Sequence, residues 1–392
     1  MDKIEELLTR GVANIIPEKE SLEKLLKSGK KLNIYLGIDP TATKIHLGNA
    51  VPLRKLQKFA ELGHNVTFLI GDFTALIGDS SDKTSERPIL THEEIEQNFK
   101  TYKKQAEKIV DFSKVTVRKN SEWLSKLSFK DIVELMQKFS LNDFISRELI
   151  RKRLDEGKRV RLDETAYPLM QGYDSFFLDT DIQVGGTDQT FNMQAGRVLQ
   201  KLLREKESYV LANVFLEGTD GRKMSKSWGN AIWLDDEPND MYAKAMAIID
   251  DLILNYFILA TNLSMDKIKE YEKRLKSENP INVKKDLAFT IVSELHDKNS
   301  AEKAKRNFEK TVQSKELPED IATVYSNNEH INILRALHLA GLASSISEAK
   351  RLIHQKGVFV DQTLIDNPNH EINIMTEHLL RVGRKFKKIK HK

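Results

Sequence analysis

Residues 32 to 70 constrain the fold of this chain more than any other stretch. Leu32-Asn33-Ile34-Tyr35-Leu36 is a strand-like run, followed by Leu53, Leu56, Phe59 and Ala60 at helical spacing, with Gly63 as a stop. Val66-Thr67-Phe68-Leu69-Ile70 is a second strand-like run. Strand, polar loop, helix, strand is a βαβ unit, so the two strands should lie parallel. The loop from Gly37 to Asn49 then sits at the carboxyl end of the first strand, where open α/β sheets bind ligands. His46-Leu47-Gly48-Asn49 falls at the helix start, where backbone N–H groups and the helix dipole favour a phosphate. His46 adds a donor, and Gly48 lets a flat base approach the backbone. Taken alone, this tetrapeptide is equally a loop histidine followed by a glycine at a helix cap.

A second stretch far downstream carries charge in a way that complements the first. In Gly221-Arg222-Lys223-Met224-Ser225-Lys226-Ser227-Trp228-Gly229 two lysines lie three residues apart between glycines. Such a loop can close over a polyphosphate and reopen, though in isolation a solvated charged turn has the same composition.

The 392 residues suffice for two or three domains, and 40% hydrophobic residues can fill ordinary cores. Charged residues at 31% and a mean hydropathy of -0.46 point to a soluble chain. No apolar run approaches the roughly 18–20 residues of a membrane helix. The start, Met-Asp-Lys-Ile-Glu-Glu, has no signal-peptide pattern, and the absence of cysteine excludes disulfides and thiolate zinc sites. The cytoplasm is the expected compartment. Charge is uneven: residues 331–392 hold 11 Lys and Arg against 5 Asp and Glu, whereas the rest hold 51 against 53. A nearly neutral body with a basic end suits small-molecule chemistry in the body and nucleic acid at the end; a basic end kept for solubility has the same composition.

Along the chain, residues 1–30 read as one or two helices around Pro17. Gly71 to Asp79 is a polar loop at the same sheet edge as the first, and Lys83 and Arg87 follow in a charged, breaker-rich stretch. Helical patterns dominate from Thr91 to about Arg153, interrupted by the strand-like Val115-Thr116-Val117. This region is expected to insert between the halves of the sheet and would suit a dimer interface. Pro168 can begin a helix, which puts Tyr167, Gln171 and Asp174 at i, i+4 and i+7 on one face. Three polar groups make a poor core stripe and a better pocket wall, with an exposed polar face as the alternative. Asp181 to Gln189 reads as a strand ending in Gly185-Gly186, where the backbone can approach a ligand and Asp188 can accept from ribose hydroxyls. The α/β body ends near Trp233. A helical domain follows to about Ser314, then a linker with Pro318 and Asn327-Asn328, then a final module. In that module Ser345 and Glu348 form a capping box, the helix they open stops at Gly357, and Arg335, Lys350, Arg351 and Lys356 form a basic surface. The last nine residues hold six Lys or Arg and read as a mobile tail.

The paired His-Leu-Gly-Asn and Lys-Met-Ser-Lys-Ser resemble the two signatures of class I aminoacyl-tRNA synthetases. Over nearly the whole chain the order Tyr35-x-Gly37-x-Asp39-Pro40-Thr41, Tyr167/Gln171/Asp174, Gly185-Gly186-Thr187-Asp188-Gln189 and the lysine loop resembles the bacterial tyrosyl-tRNA synthetase family. The resemblance implies an α/β fold: a Rossmann-like parallel-sheet catalytic domain with a helical insertion (1–234), an α-helical tRNA-interacting domain (235–314), a linker (315–330) and a small α+β αL RNA-binding module with a basic tail (331–392). It implies formation of tyrosyl-adenylate from L-tyrosine and ATP, then transfer of tyrosyl to tRNA(Tyr). Tyr35 and Asp174 would hold the substrate phenol; Tyr167, Gln171 and Asp79 its ammonium; Gly37, Asp39 and Gln189 the rest of the amino acid. Gly48, Asn49, Gly186 and Asp188 would take the adenosine, and Thr41, His46, Lys83, Arg87, Lys223 and Lys226 the phosphates. Asn49 stands where the signature has a second histidine, and it still offers a donor to a ribose oxygen. No protein-held metal is implied, since Mg²⁺ would arrive with ATP. A homodimer is expected. The competing readings are tryptophan as substrate, whose enzymes generally lack the Tyr-to-Asp pair and the αL module, and a non-catalytic RNA-binding protein, in which damage to His46 or Lys226 would be expected.

Overall fold

The computed structural model describes residues 2–79, 90–310, 321–383 and 385–392. One compact unit runs to Ala301 and a second begins at Glu302. The first is built on six strands: β1 (Val12–Ile16), β2 (Asn33–Ile38), β3 (Asn65–Ile70), β4 (Val115–Lys119), β5 (Ile182–Gly186) and β6 (Tyr209–Asn213). Their order is β1-β6-β5-β2-β3-β4, with β1 antiparallel at the edge and the rest parallel. β6 is buried along its whole length and β5 along all but its last residue, as strands covered on both faces must be. The βαβ unit is present as read: β2, the helix Leu47–Glu61 and β3, with Asn33 opposite Asn65 and Ile38 opposite Ile70. Strand order reverses at β2, which has β3 on one side and β5 on the other. The crevice beyond the carboxyl ends of β2 and β5 is therefore the switch point where such sheets take ligands.

Two local expectations need correction in this unit. The N-terminal segment is not purely helical: between helices Lys3–Thr9 and Lys19–Lys27 lies β1. Its burial pattern is irregular, with Ile15 the buried residue, so only pairing with the open edge of β6 defines it. The helix expected to begin at Pro168 instead spans Asp163–Phe177 with the proline inside it. Its first turn is held by a buried ion pair, Arg153 to Glu164 at 2.6 Å, and by the Arg161 N–H donating to the same carboxylate at 2.9 Å. Arg153 comes from the preceding helix, out of reach of a local pattern.

The helices after β6 pack into the same compact unit as far as Ala301. The helix Ile253–Ala260 ends against two arginines. Arg10 donates to the carbonyls of Ile258, Thr261 and Leu263 at 2.7, 2.7 and 2.6 Å, and Arg54 donates to that of Ala260 at 2.7 Å. These satisfy carbonyls that a helix end leaves open. No helix among the described residues is long and apolar enough to cross a membrane.

The second unit contains β7 (Thr323–Ser326), β8 (His330–Asn332), β9 (Val358–Val360), β10 (Thr363–Leu364), β11 (Glu371–Asn373), β12 (His378–Val382) and β13 (Lys385–His391). They form a sheet β10-β9-β12-β13-β7 and a separate pair β11-β8. Helices Ile333–Leu339 and Ile346–His354 share a core with them through Ile333, Leu337, Ala349, Ile353, Val358, Leu380 and Ile389. The C-terminal lysine-rich run is thus a strand bonded on both sides rather than a tail, anchored by buried Ile389. β7 lies in the stretch read as linker, of which residues 315–320 are outside the described residues. Ser345 caps its helix as read, but Glu348 accepts from Ser344 rather than closing the box on Ser345. The left-handed residue that ends this helix is Lys356 (φ 55), not Gly357.

Candidate active site

A cleft of about 900 Å³ opens at the switch point. It is lined by Tyr35, Gly37, Asp39, Thr41, His46, Gly48, Asn49, Asp79, Tyr167, Gln171, Asp174, Gly186, Asp188, Gln189, Lys223 and Lys226. Lys83 and Arg87 lie outside the described residues. Every other residue that the resemblance assigned to tyrosine or ATP is therefore brought to one cavity, from β2 and its loop, the loop after β3, the helix Asp163–Phe177, the turn after β5 and the lysine loop.

The closed end is a buried polar network. Asp174 is 3% exposed; its two oxygens accept from Trp123 Nε1 at 2.7 Å and Asn120 Nδ2 at 3.1 Å. Burial pushes its carboxyl up to about 8 in spite of these two donors. Tyr35 is equally buried and donates to Gln183 Oε1 at 3.0 Å, while Gln183 Nε2 donates to the Met193 carbonyl at 2.8 Å. Burial, and then the proximity of Asp174, hold the Tyr35 phenol well above its ordinary value, so it stays protonated. A carboxyl group and a phenol thus face one end of the cleft, each already fixed in position by second partners.

In the middle, Asp39 accepts from Thr74 Oγ1 at 2.8 Å and from the Tyr167 hydroxyl at 2.8 Å. Asn120 Nδ2 reaches the same Thr74 oxygen at 3.0 Å, which ties this carboxylate to Asp174 through one threonine and one asparagine. Gly71 is required here, since a Cβ would sit 2.0 Å from Asp39 Oδ1. Asp79 accepts from Gln189 Nε2 at 2.7 Å and Asn192 Nδ2 at 3.3 Å, with Arg147 at 3.7 Å. Asp79 and Gln189, assigned to different parts of the amino acid by resemblance, are direct neighbours.

The open end begins at His46, the N-cap of helix Leu47–Glu61. Its Nδ1 accepts from the Asn49 N–H at 3.2 Å, and Asn49 Oδ1 accepts from the His46 N–H at 3.4 Å. Burial lowers the imidazole to about 4, a bond to its own backbone opposing this and Lys223 reinforcing it. The ring is therefore neutral near pH 7, and with Nδ1 an acceptor its proton is on Nε2. Asn49 keeps its amide N–H groups as donors. Lys223 and Lys226 are both exposed on their loop. The loop is braced by Asn230, which donates to the Lys223 carbonyl at 3.2 Å and accepts from the Ser225 N–H at 2.9 Å.

Several residues of the network were not singled out from sequence: Asn120, Trp123, Thr74, Gln183, Asn192 and Arg147. Gln183 carried one signal, a polar residue in the middle of Ile182-Gln183-Val184 in a strand otherwise apolar. The others sit in loops and helices whose approach to the cleft depends on the whole fold.

The profile of the family described as tRNA synthetases class I (W and Y) matches residues 27–313, and that of the S4 domain matches residues 333–378. Among curated proteins, the tyrosine–tRNA ligase of Thermotoga maritima is 42% identical over 98% of this chain and 96% of its own length. That of Carboxydothermus hydrogenoformans is 44% identical over 98% of this chain and 97% of its own. Among solved structures, tyrosyl-tRNA synthetase from Archaeoglobus fulgidus, complexed with L-tyrosine, superposes with a TM-score of 0.60 at 26% identity, over 78% of this chain and 100% of that chain.

Proposed function

The chain belongs to the class I tRNA synthetases for tryptophan and tyrosine, on their tyrosine–tRNA ligase branch, and from that membership we propose how its cleft divides the reaction among its residues. It has the class I synthetase fold with a C-terminal S4 domain, and it is an enzyme that activates tyrosine with ATP and joins it to tRNA. The observation that carries the assignment of roles is the polarity of one cavity, with Tyr35 and Asp174 buried at one end and neutral His46 with Lys223 and Lys226 at the other.

In this reading the substrate phenol enters the closed end and donates to Asp174, with Tyr35 as its second partner. Asp79, Gln171 and Tyr167 take the ammonium. Gly37, Asp39 and Gln189 border the carboxylate, which is thereby kept beside the ATP α-phosphorus. Gly48, Asn49, Gly186 and Asp188 take the adenosine. A carboxylate oxygen attacks the α-phosphorus, the bond to the bridging oxygen breaks, and pyrophosphate leaves. Charge moves towards the departing phosphates, where Thr41, His46 Nε2–H, Lys223 and Lys226 stand as donors, with Lys83 and Arg87 assigned there by resemblance. Mg²⁺ travels with ATP as part of the substrate. The terminal ribose of tRNA then attacks the acyl carbon, releasing AMP. No protein nucleophile is used, so catalysis is positioning and charge stabilisation.

We assign the sheet domain (1–234) to activation, the helices of 235–314 and the S4 domain within 331–392 to tRNA, and a homodimer in the cytoplasm to the working form. Support for the dimer is the number of large apolar side chains left exposed on the inserted helices, among them Phe129 (82% exposed), Met136 and Leu141. Pyrophosphate exchange with each standard amino acid tests the assignment: tyrosine alone should support it, and exchange with tryptophan would overturn it. A chain ended at Ala301 should keep exchange and lose tRNA charging. Sedimentation showing only a species of the chain mass, 45.0 kDa, would overturn the dimer.

A further inference from the structure

Trp228 stands on the rim of the cleft and is 57% exposed, whereas Trp123 is buried and Trp233 packs against His46. A large indole left in water beside a charged loop forgoes the stabilisation that burial gives. Its surroundings are nevertheless built with care. The Arg222 guanidinium lies 3.9 Å from the ring centroid, over one face. Arg222 is itself clamped by Asp220, whose carboxylate accepts from its Nε at 2.8 Å and its backbone N–H at 3.1 Å. Asp220 is in turn held by Asn230 Nδ2 at 2.7 Å. Asn230 is 3% exposed, and its place depends on Gly218, where a Cβ would lie 2.2 Å from that same nitrogen. Three side chains and one glycine thus fix a flat ring with a cation on one side, so its accessible face is the other one.

We propose that Trp228, backed by Arg222, is a stacking platform for the unpaired nucleobase at the 3′ end of the RNA substrate. Every nucleobase has a π-face, and stacking on an aromatic ring is the sequence-tolerant way to hold a single strand. The exposed cations Arg222, Lys223 and Lys226 of the same loop outnumber Asp220, which suits phosphates flanking the stacked base. The platform rests on the ligase reading, because that reaction must bring the RNA terminus to this cleft after activation. It assigns to the lysine loop a second task, in transfer, carried by a residue outside the lysine pair.

The test separates the two half-reactions. In single-turnover experiments Trp228→Ala should slow transfer of tyrosyl from preformed adenylate by about tenfold more than it slows adenylate formation. Trp228→Phe should recover most of the loss, and Arg222→Ala should lie between. Binding of full-length tRNA should distinguish the Trp228→Ala variant from the wild type, and tRNA lacking its 3′-terminal nucleotide should not. Equal slowing of both half-reactions, or a raised KM for ATP in exchange, would place the ATP base on the ring and overturn the assignment to RNA. Unaltered transfer in Trp228→Ala would overturn it as well. Tyrosine-dependent pyrophosphate exchange in the same preparations reports separately on the ligase reading.

Discussion

The two ends of the cleft are built by opposite rules. At the phenol end, Tyr35 and Asp174 are 2% and 3% exposed, and Asn120, Trp123, Thr74 and Gln183 hold them from behind. At the phosphate end Lys223 and Lys226 are exposed on a loop whose backbone is braced by Asn230 while the two side chains reach into solvent. The difference follows from what each end must do. Recognition of one hydroxyl demands polar groups fixed in the absence of water, so that a substrate lacking the hydroxyl leaves them unpaired. Stabilising a departing pyrophosphate demands charges that engage only as the reaction proceeds, since interactions equal in ground and transition states do not accelerate the step.

If that division holds, the largest loss of rate comes from the open end. Lys226→Ala should slow adenylate formation by roughly 10²–10³-fold while the KM for tyrosine stays within about twofold, the pattern of a contact made mainly in the transition state. Rapid-quench measurement of activation with tyrosine titrations checks both halves. A KM for tyrosine that rises together with the rate loss would break the separation of the two ends.

Next in size is Asp174→Asn. An amide keeps one acceptor oxygen, so either Trp123 Nε1 or Asn120 Nδ2 loses its partner, and so does the substrate hydroxyl. Leaving a buried donor unpaired typically costs about 1–3 kcal/mol, so kcat/KM for tyrosine should fall roughly 5- to 150-fold. Phenylalanine, which has no hydroxyl to lose, should be affected less. Comparable losses for both amino acids would mean that Asp174 shapes the pocket without reading the hydroxyl.

Much of this contrast is legible in the sequence itself. His46, Lys223 and Lys226 sit in contiguous words, and Tyr167, Gln171 and Asp174 share a helix face by simple periodicity. What stayed hidden was the back row. Asn120 follows β4, and Trp123 lies one turn later; both reach Asp174 only because β4 is stacked beyond β3. The same reason hid β1 and β13, each with a single buried residue and defined by neighbours rather than by its own pattern. It also hid the packing of the helices after β6, which is fastened by Arg10 and Arg54 to carbonyls more than 200 residues away in sequence. Chemistry written in a short motif can be read locally; support supplied from a distant element cannot.

Tyr35→Phe tests that back row more finely. The wild-type hydroxyl has one proton, donated either to Gln183 or to the substrate oxygen, so its removal takes away one hydrogen bond. A neutral hydrogen bond is worth about 0.5–1.5 kcal/mol, so tyrosine-over-phenylalanine selectivity should drop by only about 2- to 13-fold. Exchange kinetics with both amino acids gives the ratio. A fall as deep as that of Asp174→Asn would show that Gln183 collapses into the pocket once its donor is gone.

The smallest effect is the one that sets the two ends against each other directly. The carboxyl of Asp174 rises to about 8 in the fold, above its ordinary value of 3.8. Its contribution to stability is therefore complete below about pH 4 and is lost as the pH climbs to about 8. His46 runs the other way: its imidazole falls to about 4 from 6.5, so its contribution is present above about pH 6.5 and is lost as the pH drops towards 4. Relative to wild type, Asp174→Asn should become progressively more stable between pH 4 and 8, and His46→Asn, which keeps a capping side chain, progressively more stable as the pH falls from 6.5 to 4. Thermal midpoints of the three chains across this range measure both slopes. Parallel slopes would mean that one end of the cleft is not desolvated as its geometry requires, and crossing slopes would place buried recognition and a neutral histidine in the same cavity.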